Sequence, residues 1–339
     1  MTISTLLTIF SIFVYFLIYN FRNKISKYLG VVDLPDEKRK IHKIPTPKTG
    51  SYSITLVLLT CLILNYFLNF YDNDINLIFI GTLLIFLVGF IDDRYKLSAL
   101  TKIILISLIT LIICLLSDNL VIKEFYLYSL DFFFNLHIFS IIFTILCVLC
   151  LVNALNLADG INGLAVGIIF FWLFHINQIY YFNNLDFLIN IIFINLILIF
   201  IHNYMGRHFL GDSGSLMLSS FIAFLIIYLH NTNIDMPDSI NSSETILIVL
   251  IIPVLDMIRL LFERLFKKKN PGIGDNNHLH HYLVKKHSTI KALLLYLLLL
   301  NTPILISFNT SISKVSIIIC TILMYFFLIF YYKAILKKG

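Results

Sequence analysis

The sequence predicts an all-α, polytopic integral membrane protein, and three observations carry that prediction. Hydrophobic residues fill 59% of the 339 positions, charged residues only 13%, and the mean hydropathy is +0.91, against about 25% charged residues in a soluble chain. The apolar residues gather in runs close to the roughly 20 residues a helix needs to cross a bilayer. The runs also lack the alternation of a transmembrane barrel, and an open sheet cannot satisfy its backbone in lipid. The whole chain, 1–339, reads as one transmembrane domain.

About eleven spans follow in order: Thr2–Asn20, Tyr52–Phe70, Asn76–Ile91, Ile103–Leu116, Ile138–Leu155, Gly163–Phe182, Leu185–Ile201, Ser215–His230, Glu244–Phe262, Lys291–Phe308 and Val315–Tyr332. The fourth reaches spanning length only if it begins near Ser98. The first has no basic segment ahead of it and no small-residue cleavage site, so it reads as a retained span. Cys61, Cys114, Cys147, Cys150 and Cys320 all lie inside runs. Redox or zinc chemistry at the Cys147–Cys150 pair would need exposed thiolates, so packing is the expected role and no disulfide framework is implied.

The connecting segments alternate in charge. Of 25 Lys and Arg, 23 fall in the odd-numbered segments, counting the C-terminal tail; only Lys123 and Lys314 fall in the even-numbered ones. The positive-inside rule then puts the N-terminus outside and the C-terminus in the cytoplasm. Segments 21–51, 92–102, 153–164, 202–215 and 258–290 become cytoplasmic, and every conspicuous polar constellation lies in one of them. Outer segments such as HNTNIDMPDSINSSE (230–244) are short and unpatterned.

The first cytoplasmic segment contains DLPDEKRKIHKIPTPKTGS (33–51). Pro35, Pro45 and Pro47 forbid a continuous helix. Lys38, Arg39, Lys40 and His42 form a basic cluster, suited either to anionic lipid or to a phosphate-bearing ligand. The next, FIDDRYKLSALTK (90–102), sets Asp92 beside Asp93 ahead of Lys102. Such a pair can be a solvated helix end, or it can hold Mg²⁺ with phosphates or act as a general base. In NALNLADGINGL (153–164), Asn153, Asn156 and Asp159 recur every three residues, along one helix face. Gly160 and Gly163 let backbone approach a ligand, and polar groups in so apolar a chain point to function.

FLGDSGSL (209–216) carries a GDSG string like that of chymotrypsin-like proteases, but that fold is a soluble double β-barrel with its own triad partners, and the reading is rejected. Amides opening an apolar helix suit an anion. Asp212 would repel phosphate unless a cation lay between them, which suggests a metal bridge. In HLHHYLVKKH (278–287), His278, His280 and His281 do not match the i, i+4 zinc pair. With Arg264, Lys285 and Lys286 nearby, a pyrophosphate is the better ligand.

In this order and number the motifs resemble the polyprenyl-phosphate N-acetylhexosamine-1-phosphate transferases, bacterial and eukaryotic, from about Asp33 to His287. The resemblance implies a Mg²⁺-dependent enzyme (Mn²⁺ an acceptable substitute) in the bacterial inner membrane, with its catalytic site facing the cytoplasm. It implies that undecaprenyl phosphate attacks a UDP-N-acetylhexosamine, releasing UMP and leaving a sugar-diphospho-lipid, the first membrane step of a cell-envelope polysaccharide such as O-antigen. By motif position Asp92, Asp93 and Asp159 resemble catalytic residues, and Asp212 and Asn156 the metal ligands. Lys102, Arg264, His278, His280 and His281 fall in the phosphate and sugar region, and Phe209 and Asn162 where relatives hold uracil. No nucleic-acid partner is expected, and a homodimer is compatible. Gly50–Ser51 replaces the paired glycines of many members, and DGING carries Asn162 in place of a second acid, as in the eukaryotic branch. The HLHH form is more similar to the N-acetylglucosamine branch, which favours that sugar. The rival reading, a transporter of a nucleotide-sugar or other phosphorylated solute, would place substrate groups mid-membrane and show internal repeats. Only Asp256 approaches a mid-run position, and no repeat is visible.

Overall fold

A computed structural model describes residues 3–35, 44–69, 71–180, 185–233, 242–268 and 276–338. Among these, twelve helices carry the chain: α1 (Ile3–Leu29), α2 (Tyr52–Leu68), α3 (Asn73–Tyr95), α4 (Ala99–Leu116), α5 (Ser140–Ala158), α6 (Leu164–Ile179), α7 (Asp186–Tyr204), α8 (Gly211–Thr232), α9 (Ser243–Phe266), α10 (Leu279–Lys286), α11 (Thr289–Asn309) and α12 (Lys314–Lys338). Each of the eleven apolar runs corresponds to one helix. Nine of these helices are long and apolar enough to cross a membrane; α2 and α6 are apolar but shorter. The bundle exposes Phe13, Leu108, Leu298 and Phe327 on its outside, which is how a multi-pass protein meets lipid.

The helices overrun the apolar runs where the polar motifs lie. Helix α3 continues past Ile91, so Asp92 and Asp93 sit in its last turn. Helix α4 does begin near Ser98, its N-cap, whose side chain accepts the Thr101 N–H at 3.1 Å. Helix α10 was not expected from the sequence. Two short antiparallel pairs complete the chain: β1 (Val32–Asp33) with β2 (Thr46–Pro47), and β3 (Glu124–Leu127) with β4 (Phe132–Asn135). The first closes the base of the proline-rich segment. The second corrects the expectation that outer segments are unpatterned; its runs of aromatic residues, Phe125–Tyr126 and Phe132–Phe134, are a strand signal.

Helix α8 is the centre. Seventeen of its 22 residues are buried, including Ser213, Gly214, Ser215, Ser219, Ser220 and Ala223. Small residues let neighbouring backbones approach closely, the packing that replaces hydrophobic drive in lipid. Ser219 and Ser220 satisfy their hydroxyls on carbonyls of their own helix, at 2.6 and 2.8 Å. Helix α3 makes the closest approach. A Cβ on Gly89 would lie 2.5 Å from the Asp212 carbonyl oxygen and 2.5 Å from Ser213 Cα, so only glycine permits this crossing. At Gly81, higher on the same interface, a Cβ would meet only side-chain atoms of Ile113 and Phe224, each at 3.1 Å.

Gly89→Ala should therefore cost about 1–3 kcal/mol through overpacking against backbone, lowering the melting temperature in detergent by several degrees. Gly81→Ala should lower it by less, because side chains can yield. Equal melting temperatures for the two variants would contradict this account of the α3–α8 contact.

Candidate active site

Adjacent residues on a helix point about 100° apart, and the last turn of α3 uses that to send its two carboxylates to different partners. Asp92 accepts the Leu97 N–H on Oδ1 at 2.7 Å and the Lys102 ammonium on Oδ2 at 2.8 Å. Lys102, from the first turn of α4, also reaches Asp212 Oδ2 at 3.4 Å. One ammonium thus lies between two carboxylates from different helices. Of the two, Asp92 is nearly buried, with 6% side-chain exposure, whereas Asp212 is 31% exposed and open to a ligand.

Asp93 turns the other way and is consumed by structure. Its side chain is fully buried; Oδ1 accepts the Asp212 N–H at 3.0 Å and Oδ2 the Ser213 N–H at 2.9 Å. It caps the start of α8 from a neighbouring helix. Lys48 closes the arrangement, 3.0 Å from Asp93 Oδ1 and 3.7 Å from Asp33. Burial by itself would lower the Lys48 pKa, but the Asp93 carboxylate outweighs it and holds the ammonium above the usual lysine range.

Helix α5 ends at Ala158, so Asn156 lies in its last turn and Asp159 at its C-cap. Burial pushes the Asp159 carboxyl up to about 7, with Lys48 opposing and Asp93 adding to the shift. Asn153 does not join them: its amide returns to the Leu149 carbonyl at 2.7 Å. The DGING turn then enters α6 through Gly163, whose φ of +85° lies in the region only glycine adopts freely. Asn203 fastens that turn, accepting the Gly163 N–H at 2.6 Å and donating to the His208 carbonyl at 3.2 Å. Phe209 is stitched to the proline-rich segment, donating its N–H to Pro47 at 2.8 Å and accepting that of Gly50 at 2.9 Å. Ser51 fits because Gly214 leaves room: a Cβ there would be 2.7 Å from that of Ser51.

The histidines divide similarly. His278 donates from Nδ1 to Asp256 Oδ2 at 2.8 Å. His280 is fully buried against Gly160, where a Cβ would fall 2.1 Å from its Nε2. Neither His280 nitrogen has a hydrogen-bond partner among the described residues. Burial first, then His281 and His278, push its pKa well below the usual range, so the ring is neutral. The three rings lie within 5.7 Å of one another, centroid to centroid.

These parts wall one cavity of about 730 Å³, bordered by Asp92, Asp93, Asn156, Asp159, Asn162, Phe209, Asp212, His278 and His281. Lys102 and His280 do not border it: Lys102 contacts Asp92 and Asp212, and His280 packs against Gly160, three residues that do. Arg264, buried in the last turn of α9, does not border it. The basic cluster Lys38, Arg39, Lys40 and His42, like Pro271 and Asp275, lies outside the described residues. Lys48, Asn203 and Asp256 are the residues that sequence reasoning missed. Lys48 was counted only as cytoplasmic charge, and Asp256 only as an oddity within a run; Asn203 gave no signal beyond being a polar residue at the end of one.

Comparison with known proteins agrees with this geometry. A family model described as glycosyl transferase family 4 matches residues 75–230, the stretch from α3 to α8. The Bacillus subtilis (strain 168) protein named probable undecaprenyl-phosphate N-acetylglucosaminyl 1-phosphate transferase is 27% identical, over 91% of this chain and 83% of its own. The Escherichia coli (strain K12) undecaprenyl-phosphate alpha-N-acetylglucosaminyl 1-phosphate transferase is 28% identical, over 84% and 77%. The Yersinia pestis protein of the same name is 27% identical, over 77% and 72%. With its paired helix-end carboxylates, DGING turn and GDSG helix start all inside the matched stretch, the chain is similar to glycosyl transferase family 4 and, within it, to the undecaprenyl-phosphate N-acetylglucosaminyl 1-phosphate transferases.

Proposed function

We propose that the protein transfers N-acetylglucosamine 1-phosphate from UDP-N-acetylglucosamine to undecaprenyl phosphate, releasing UMP, in the bacterial inner membrane. The observation that carries this reading is the meeting of Lys102 with Asp92 and Asp212 at a cavity that also holds Asn156, Asn162, Phe209 and two histidines. An ammonium flanked by acids, beside amides and an aromatic ring, suits an anionic nucleotide better than a neutral solute. The names of the relatives support the lipid and the sugar. In this reading all eleven apolar helices span; the 17 residues of α2 rise about 26 Å, close to the hydrocarbon thickness. The described lining of the cavity comes from the odd-numbered segments and their flanks, which together carry 23 of the 25 Lys and Arg, and this supports a cytoplasmic site with the N-terminus outside and the C-terminus inside.

The reaction proceeds by direct attack. An oxygen of the lipid phosphate forms a bond to the sugar-bearing phosphorus, the bond to the bridging oxygen breaks, and its electron pair leaves with UMP. A phosphate monoester is already largely dianionic near pH 7, so the nucleophile needs no base. Asp92 is poorly placed to attack, because both its oxygens are engaged; it aims Lys102 at the phosphoryl oxygens. Lys48 adds a second fixed positive charge on the cavity wall. Phe209 offers a ring to stack on uracil and Asn162 an amide to pair with it. Asp159 and the histidines border the sugar and phosphate end.

Asp212 and Asn156 would hold Mg²⁺. Among the described residues no three His, Cys, Asp or Glu side chains converge as they would on a structural zinc. Magnesium instead takes one or two carboxylates and completes its shell with water and phosphate oxygens, which fits one open carboxylate beside a nucleotide cavity. When bound, the ion supplies charge neutralisation for the pyrophosphate and the departing UMP.

Membranes containing the protein, given labelled UDP-N-acetylglucosamine, undecaprenyl phosphate and Mg²⁺, should form labelled lipid and UMP, and EDTA should stop both. No product with any UDP-amino-sugar would remove the enzymatic reading. Asp92→Asn and Asp212→Asn should each lower kcat by roughly 10²–10³-fold, as expected when one preorganised electrostatic contact is lost, with melting temperatures near that of the wild type. Full activity in the Asp212 variant would refute its metal role, and a phosphorylated Asp92 trapped from UDP-sugar alone would refute direct attack. Asp93→Asn should instead lower activity and melting temperature together, because it uncaps α8.

A further inference from the structure

Helices α9, α10 and α12 meet at a buried carboxylate remote in sequence from the Lys102 core. Asp256, 3% exposed, accepts hydrogen bonds from four groups. Arg259 donates to Oδ1 at 3.0 Å and Tyr325 donates to Oδ1 at 2.5 Å. The Leu279 N–H bridges both oxygens at 3.2 and 3.3 Å, capping α10. His278 meets Oδ2 through Nδ1 at 2.8 Å. Arg259 is itself locked, donating from Nε to the Tyr325 hydroxyl at 2.7 Å and from a terminal nitrogen to the Asn277 carbonyl at 2.6 Å.

The proton on His278 follows from this arrangement. A carboxylate has only lone pairs to offer, so the ring nitrogen facing it must carry the hydrogen. Arg259 pairs with both Asp256 and Glu263, each at 3.0 Å, and the His280 and His281 rings stand 5.3 and 5.7 Å from His278. His278 borders the cavity, and its Nε2 has no hydrogen-bond partner among the described residues.

We propose that Asp256 is a positioning residue that holds His278 with Nδ1–H on the carboxylate, so that Nε2 is left to accept a hydrogen bond from a hydroxyl or amide N–H of the bound sugar nucleotide. This refines the phosphate role that sequence position gave His278. A phosphate oxygen has no hydrogen to donate and would face a lone pair, whereas a sugar or ribose hydroxyl, or an acetamido N–H, completes the pair. The inference rests on the nucleotide-sugar reading of the cavity.

Asp256→Asn tests it with little change of shape. The amide oxygen can keep Arg259 and Tyr325, and the amide nitrogen then replaces Oδ2. It must donate to His278 Nδ1, which moves the ring proton to Nε2 and turns an acceptor into a donor. The same exchange behind the catalytic imidazole of a serine protease produces the wrong tautomer and costs about 10⁴ in kcat. Here the ring only binds, so Asp256→Asn and His278→Ala should each lower kcat/KM for UDP-N-acetylglucosamine by roughly 10–100-fold, a loss set by one unmade hydrogen bond to a buried group. The double variant should be no worse than His278→Ala alone, since the two residues act as one unit. Losses that multiply, or wild-type kinetics in Asp256→Asn, would overturn the proposal. A second measurement does not need turnover: ¹⁵N spectra of histidine-labelled protein, with His278 assigned by its loss in His278→Ala. The proton should sit on Nδ1 in the wild type and on Nε2 in Asp256→Asn. A wild-type ring protonated on both nitrogens, or on Nε2, would overturn the inference. If the wild type converts no UDP-amino-sugar, the nucleotide-sugar reading falls, and the spectra still decide the Asp256–His278 pairing.

Discussion

The cap that Asp93 places on α8 is the interaction on which the rest of the site depends. A buried carboxylate is expensive unless its charge is met, and here two backbone N–H groups at a helix N-terminus and the Lys48 ammonium meet it. That single group joins the end of α3, the start of α8 and the proline-rich segment before α2. It fixes where Asp212 emerges, because the N–H of Asp212 is one of the two it accepts. The close crossing at Gly89 serves the same end, bringing the α8 start near enough for the cap to form.

From that cap the division of labour among the acids follows. Asp93 is spent on architecture, which leaves Asp92 and Asp212 to share Lys102. The nearly buried Asp92 orients the ammonium, and the more open Asp212 keeps lone pairs for a ligand. A second anchor, Asn203, ties the DGING turn to the loop carrying Phe209, joining two sides of the cavity. The third is Asp256, which docks α10 onto α9 and α12. Three buried polar residues thus position the cavity, each by several hydrogen bonds, in a bundle whose remaining cohesion is apolar packing.

Much of this was legible in the sequence. Apolar run length located the helices, since each of the eleven runs became one, and the motifs FIDDRYK, DGING, GDSG and HLHH did converge. What escaped was direction. Nothing in the adjacency of Asp92 and Asp93 says that the helix continues through both and splays them apart, because apolar periodicity stops at Ile91. Likewise, i, i+3 spacing placed Asn153 on the face of Asn156, yet its amide found a carbonyl of its own helix. Lys48 and Asp256 were invisible because their importance comes from partners 45 and 22 residues away. The outer β3–β4 hairpin was missed by treating FYLYSLDFFFN as featureless, although its aromatic residues favour strands.

The central claim is that a phosphoryl group moves with the sugar. It is tested most directly by incubating purified protein and undecaprenyl phosphate with UDP-N-acetylglucosamine carrying ³²P on the sugar-bearing phosphorus. The account predicts that the label enters the lipid while unlabelled UMP is released. Label remaining in UDP, with sugar alone on the lipid, would contradict it.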